Sequence, residues 1–426
     1  MGGLEKRSLH WGLGLGLGLG LRLRLGLRLR PGLRLRPGLL KPLRLLIGSG
    51  LTVLSAWAAA GVLMVGPQGV PMSIEEALRR AQDGDTIELL SGEYSGGPLV
   101  IENRRLLIRG VGKRPLIKGS GKMTSAKALW LVRGGEVTLE NLEFRGARSI
   151  DGEGAGIRME GGRLHLRKVA LYDNEYGLFA PNAEQAELRI EDCEFGLAPR
   201  VVGGLHHLLN VARIAKLTVT GSRFQQGFEG QMLKSRAREN LISYNFIHDG
   251  QRGGASYEIE IANGGLATIV GNVIGQGAES QNPVLVAYGT EKVGWDRNVL
   301  VVAHNTFINY AWTPAWFVRV IDKNLPPGTE VVAVNNLLVG SGLLWPALGG
   351  GRVTAAGNRL VSRRMLRDAD TYAFELLPGS MWRGSAVDPR NVAGRDLSPK
   401  GEFEWPVGVL PLAPGLTRWA PGAYQR

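Results

Sequence analysis

Ile242-Ser243-Tyr244-Asn245-Phe246-Ile247, Ile269-Val270-Gly271-Asn272-Val273-Ile274 and Val302-Ala303-His304-Asn305-Thr306-Phe307 are three copies of one short frame. Looser copies follow at Ala333-Val334-Asn335-Asn336-Leu337-Leu338 and Ala355-Ala356-Gly357-Asn358-Arg359-Leu360. An amide at one structural position on successive units can bond to the units above and below, as in stacked Asn ladders. Upstream the frame continues with the Asn replaced by Leu142, Val169, Cys193 and Ser222. Successive members of this column lie 22 to 33 residues apart. Each unit shows apolar alternation and β-branched residues, then a Gly or Asn turn, which is a strand pattern and not a 3.6-residue helical one. A constant frame with variable spacing implies one coil per repeat with loops leaving one side. That is a parallel β-helix, an all-β solenoid whose coils share one core.

The composition agrees. Sixty-two glycines supply many tight turns. The net charge of +13 is misleading, because residues 1–44 hold ten Lys and Arg against one Glu and leave only +4 for the rest. No nucleic-acid footprint follows from that balance. The one cysteine, Cys193, excludes an internal disulfide framework and a cysteine-based zinc site. Its place in the inward column makes it a small core residue. The chain divides into a low-complexity Gly/Leu/Arg tail over 1–40, a signal peptide or membrane anchor over 41–60, and a β-helix domain over 62–426. Lys41 and Arg44 precede an uncharged run that closes on Ala56-Trp57-Ala58, the pattern of a cleaved export signal. Export to the periplasm, cell surface or medium is expected, with a membrane-anchored form as the alternative and no other membrane contact. The folded part is expected to be a monomer.

Ser73-Ile74-Glu75-Glu76 is a capping box, with Ile74, Ala77, Leu78 and Ala81 on one stripe. The short helix it starts is the expected cover for the open end of the first coil. This opening, with Ala81-Gln82-Asp83-Gly84-Asp85-Thr86-Ile87, Gly92-Glu93-Tyr94 and Leu107-Ile108-Arg109-Gly110, resembles that of right-handed parallel β-helix proteins of the pectin-lyase-like superfamily. The closing Gly422-Ala423-Tyr424 is similar to a tail common among them, so the resemblance covers residues 62–426. Stretches 233–239 and 255–265 resemble hallmark segments of an uncharacterised bacterial branch. The resemblance implies a right-handed helix and polysaccharide substrates.

Strand alternation gives the site its expected layout. With Leu209, Leu233, Ile259 and Ile261 facing in, Leu208, Asn210, Lys234, Arg236, Glu258 and Glu260 face out. Asn210, Lys234 and Glu258 or Glu260 then stand side by side on one outer face. β-Helix lyases of the resembled superfamily use Lys or Arg as the base, usually with Ca²⁺ held by acidic residues. The spacing of Glu229 and Lys234 is similar to that of a chondroitinase-B-like group. Gly227 replaces that group's second acidic ligand, and Ala255 and Ser256 stand where it places an Arg. The expected catalytic residues are Lys234 as base and His207 or Tyr257 as acid. Asn210, Arg236, Glu258, Glu260 and Asn263 are the expected substrate contacts, and Glu229, Glu258 and Glu260 the expected Ca²⁺ ligands. The expected partner is an acidic polysaccharide, bound and cleaved by β-elimination. The alternatives are a plain surface charge ladder and a non-enzymatic glycan-binding or adhesin-like solenoid. His165, His248 and His304 are expected at the surface. Trp295, Trp312 and Trp316 lie in late loops as candidates for sugar stacking or packing. The Asp-Asp pair and Gly-His-Gly of polygalacturonase-type enzymes are absent from the sequence.

Overall fold

The computed structural model describes residues 60–425, apart from 96, 125, 293 and 346–349. The tail over 1–40 and nearly all of the 41–60 segment lie outside the described residues. Three parallel sheets wind around one core. The first has twelve strands, from Val62–Val65 to Arg352–Ala356. The second has eleven, from Glu93–Ser95 to Arg359–Val361. The third has ten, from Leu99–Glu102 to Gly342–Trp345. Each coil contributes a strand to each sheet in turn, so the apolar side chains of every coil stack on those of the next.

The column read from the sequence sits at the corner between the first and second sheets. Asn245 N donates to Asn272 Oδ1 at 2.9 Å, Asn272 N to Asn305 Oδ1 at 2.9 Å, and Asn305 N to Asn336 Oδ1 at 3.0 Å. The series continues upstream through Ser222 N to Asn245 Oδ1 at 2.9 Å and Cys193 N to Ser222 Oγ at 3.0 Å. Cys193 accepts from Val169 N at 3.4 Å, and burial pushes its thiol up to about 12. It is therefore a link in the ladder and not a nucleophile. The residue before each ladder position turns the corner with positive φ: 54° at Tyr244, 69° at Gly271 and 51° at His304. That left-handed step favours the Gly and Asn that recur there.

The helix Ile74–Arg80 forms as expected, with Ser73 Oγ accepting from Glu76 N at 3.2 Å. Its buried Ile74 and Ala77 join the core of the first coils. At the other end the coils stop at Val361. The remaining chain forms short 3₁₀ turns and two antiparallel strand pairs. It packs back against the outside of the second sheet, where Phe374, Phe403 and Tyr424 cover Phe246, Val273 and Leu337.

This return corrects the placement of two histidines. His248 is fully buried, with ring centroids of Phe246, Tyr310, Tyr372 and Phe374 within 5.0 to 5.6 Å. His304 is equally buried, against Asn335 and Trp419. His248 lies on an outer strand face and His304 at a corner between strands, and the C-terminal segment covers both. Burial lowers both rings, His248 to about 3 and His304 to about 4, so both are neutral. His165 does lie on an outer face, where it meets Glu191 at 2.7 Å.

Candidate functional site

The third sheet sets the strand residues Asn210, Lys234 and Glu260 side by side. Pairing sets Arg158 beside Phe179, Phe179 beside Asn210, Asn210 beside Lys234, and Lys234 beside Glu260. Neighbouring strands are about 4.8 Å apart, so these side chains form one continuous outer row. The Arg158 guanidinium lies over the Phe179 ring at 4.9 Å. Asn210 Oδ1 is buried and takes no hydrogen bond within the protein, and neither does Gln231 Oε1 on the next coil.

Lys234 is the centre of an ion network. Its Nζ lies 3.1 Å from Glu260 Oε2 and 3.2 Å from Glu291 Oε1, and its side chain is only 13% exposed. Thr290 Oγ1 donates to Glu260 Oε1 at 2.6 Å. Arg236, one residue past the end of the strand Leu233–Ser235, grips Glu291 through two bonds of 2.6 and 2.7 Å. The Arg236 guanidinium beside it holds the Glu291 carboxyl below its usual range. Glu291, Thr290 and Trp295, whose Nε1 donates to the Arg236 carbonyl at 3.1 Å, belong to the loop two coils on from Lys234. Glu291 lies three residues past the strand Val284–Tyr288, which follows the one that carries Glu260, in a loop whose reach the sequence does not signal.

His207 lies on the other side of the row. Its ring stacks on Tyr176 at 5.4 Å, and its Nδ1 accepts from Gln231 N at 3.0 Å. Burial first, then the charges of Lys234 and Arg236, lower its pKa to about 3. The ring is therefore neutral, and with Nδ1 committed as an acceptor its proton sits on Nε2. His207 is placed to donate a hydrogen bond, not to act as an imidazolium acid. Tyr257 is half-buried at the entry to the Glu260 strand, with its carbonyl accepting from Met232 N. Asn263 is spent on the loop, donating to the Lys292 carbonyl at 2.6 Å.

Two expected members of the row stand elsewhere. Leu208 and Glu258 are buried rather than facing outward. The strands begin only at Leu209 and Ile259, and the residue before each is still in the turn. Leu208 and Met232, which precede their strands in the same way, point into the apolar core. Glu258 follows that course. It is fully buried, neither carboxyl oxygen has a hydrogen-bond partner, and burial together with Asp249 raises its pKa well above the carboxylate range. Asp249, also buried, accepts from Gly227 N at 2.5 Å and Ala255 N at 2.7 Å and is raised by burial to about 7. It pins the two loops on which Glu229 and Tyr257 are carried. At Gly227 a Cβ would meet Ala255 Cβ at 3.0 Å, which explains the missing side chain there.

The carboxylates named for Ca²⁺ do not converge. Glu229 accepts from Gly203 N at 2.6 Å and Gln281 Nε2 at 3.3 Å, Glu258 is in the core, and Glu260 is paired with Lys234. Among the described residues no three His, Cys, Asp or Glu side chains are grouped to hold a metal ion. No helix among them is long and apolar enough to cross a membrane.

No protein-family model and no curated protein matches this sequence. Solved structures do. A crystal structure of pectate lyase Pel9A aligns with a TM-score of 0.57 at 12% identity, over 87% of this chain and 97% of that one. An alginate lyase from Paenibacillus sp. str. FPU-7 aligns at TM-score 0.43 and 13% identity, over 71% of this chain and 100% of that one. A GH136 lacto-N-biosidase from Eubacterium ramulus aligns at 0.38 and 13%, over 70% and 68%. The stacked parallel sheets and the likeness to Pel9A together make this chain a right-handed parallel β-helix of the pectin-lyase-like fold.

Proposed function

We propose that this protein binds an acidic polysaccharide along the outer row of the third sheet and cleaves it by β-elimination. The observation that carries the reading is the in-register row Asn210, Lys234, Glu260, with the Arg236 fork and the His207 donor beside it. The likeness to a pectate lyase supports it at the level of fold. Lys234, once released from its carboxylate partners and after giving its own proton to solvent, takes as a neutral amine the proton from the carbon next to the uronate carboxylate. The electron pair left behind forms a carbon–carbon double bond as the glycosidic C–O bond breaks. Tyr257 supplies the proton to the departing oxygen, while the neutral His207 donates a hydrogen bond to the charge that develops. Arg236 holds the carboxylate, and Asn210 accepts from a sugar hydroxyl. The basic and apolar segment before residue 60 exports the domain, either cleaved or kept as an anchor.

The ion pairs on Lys234 favour a second reading, in which the same face binds a glycan without cutting it. The assay that separates the two incubates the protein with a panel of polyuronates, with Ca²⁺ or with chelator. Unsaturated chain ends support cleavage. Retention on a polymer without such ends supports binding alone. The separation of Glu229, Glu258 and Glu260 predicts the same result in both metal conditions.

A further inference from the structure

Glu291 plays no part in the chemistry above, yet it contacts both cations of the site. Arg236 Nε meets its Oε2 at 2.7 Å and Arg236 Nη2 its Oε1 at 2.6 Å, while Lys234 Nζ lies 3.2 Å from that same Oε1. Two parallel bonds from one guanidinium are the way Arg recognises any planar carboxylate, and a neighbouring ammonium completes the charge match. The cations lie beneath and the carboxylate on top: Lys234 and Arg236 are 13% and 24% exposed in their side chains, Glu291 37%. A carboxylate arriving from solvent therefore meets Glu291 before it meets the cations.

The loop that carries Glu291 is fastened at separate points. Glu291 N donates to the Ala262 carbonyl at 2.9 Å and Gly294 N to the Asn263 carbonyl at 3.2 Å. Trp295 bonds to the Arg236 carbonyl and lies under the Arg213 guanidinium at 4.1 Å. The Glu291 side chain can leave Arg236 without breaking any of these, because none of them involves its carboxylate.

We propose that Arg236 and Lys234 form a carboxylate-binding subsite, that the chain's own Glu291 fills it, and that a uronate binds by displacing Glu291. The inference rests on the acidic-polysaccharide reading and adds a competitor tethered within the site. Exchange of one carboxylate for another leaves the charge at the subsite unchanged. The tethered group lowers the apparent affinity of every free carboxylate by the fraction of time it occupies the fork.

The test titrates wild type, Glu291→Gln and Glu291→Ala with a uronic acid monosaccharide and with its methyl ester, followed by NMR or calorimetry. The expected result is at least a tenfold gain in affinity for the acid in both variants and no gain for the ester. Arg236→Ala placed on the Glu291→Ala background should remove the gain. Equal or weaker binding of the acid by two folded variants, checked by their melting curves, overturns the proposal. A polymer arm keeps the two readings apart. Wild type that binds a polyuronate with no gain in either variant sinks the displacement and leaves the polysaccharide reading standing. A gain for the monosaccharide with no polymer bound by any form supports the subsite and sinks the polysaccharide.

Discussion

At the residue scale, Glu258 is where strand alternation misled. The sequence around it, Tyr257-Glu258-Ile259-Glu260-Ile261, reads as two outward glutamates. The strand begins at Ile259, one residue too late for that rule to reach Glu258. Nothing local distinguishes a charged residue in the last step of a turn from one on a strand; only the core positions of Leu208 and Met232 in adjacent coils show it. The consequence is measurable. A carboxyl whose folded pKa is raised contributes its full stability below its unfolded pKa, near 4.5, and loses it as pH rises toward the folded value. Glu258→Gln cannot titrate. It should gain stability over wild type progressively as pH rises from about 5 to 8, by at most about 1.4 kcal/mol per pH unit for one group. Denaturant melts across that range check it; a difference that is flat with pH would mean Glu258 is ionised in the fold. Lys234 and Asn210, two residues in from their strands' turns, were legible because alternation holds there.

At the element scale, the ladder was the most legible feature of the chain, since its amides repeat in one frame and no other use of buried Asn fits every coil. Asn272 shows what it contributes. Its Oδ1 accepts from Asn245 N and Nδ2 at 2.9 Å, and its Nδ2 donates to the Ile242 and Val270 carbonyls at 2.9 and 3.2 Å. Asn272→Ala would leave Asn245 N and one Asn245 Nδ2 hydrogen without their acceptor and take a donor from the Ile242 carbonyl, each stranded group costing about 1–3 kcal/mol if no water replaces the bond. A loss of at least about 3 kcal/mol is expected in a denaturant melt, and a loss under about 1 kcal/mol would show that the column is not an energetic spine. The C-terminal return was the least legible element. Its contacts join Phe246 to Phe374 and Phe403, residues more than a hundred positions apart, with no repeat to reveal the pairing. That is why His248 and His304 look solvent-facing in sequence and are core in fact. Glu291 escaped notice for a related reason: variable loops carry no frame, so their reach onto the sheet cannot be read from spacing.

At the scale of the whole molecule, the coils and the outer row follow from one repeat and its register, and the capping helix from its own capping box. The C-terminal segment closes the outside of the second sheet and leaves the row on the third. The molecule thus presents a polar, mixed-charge strip on a rigid stack, with its central lysine held between two carboxylates and a neutral histidine alongside. The central claim is that this strip acts on an acidic polysaccharide through Lys234. The most direct measurement compares wild type with Lys234→Ala on a panel of polyuronates, reading unsaturated ends and bound polymer together. The account predicts unsaturated product from at least one polymer and its loss by a factor of a hundred or more in Lys234→Ala, on the order of a general base's contribution, with the variant still folded. Product formed equally well by both proteins, or no polymer cut or retained by either, would contradict it.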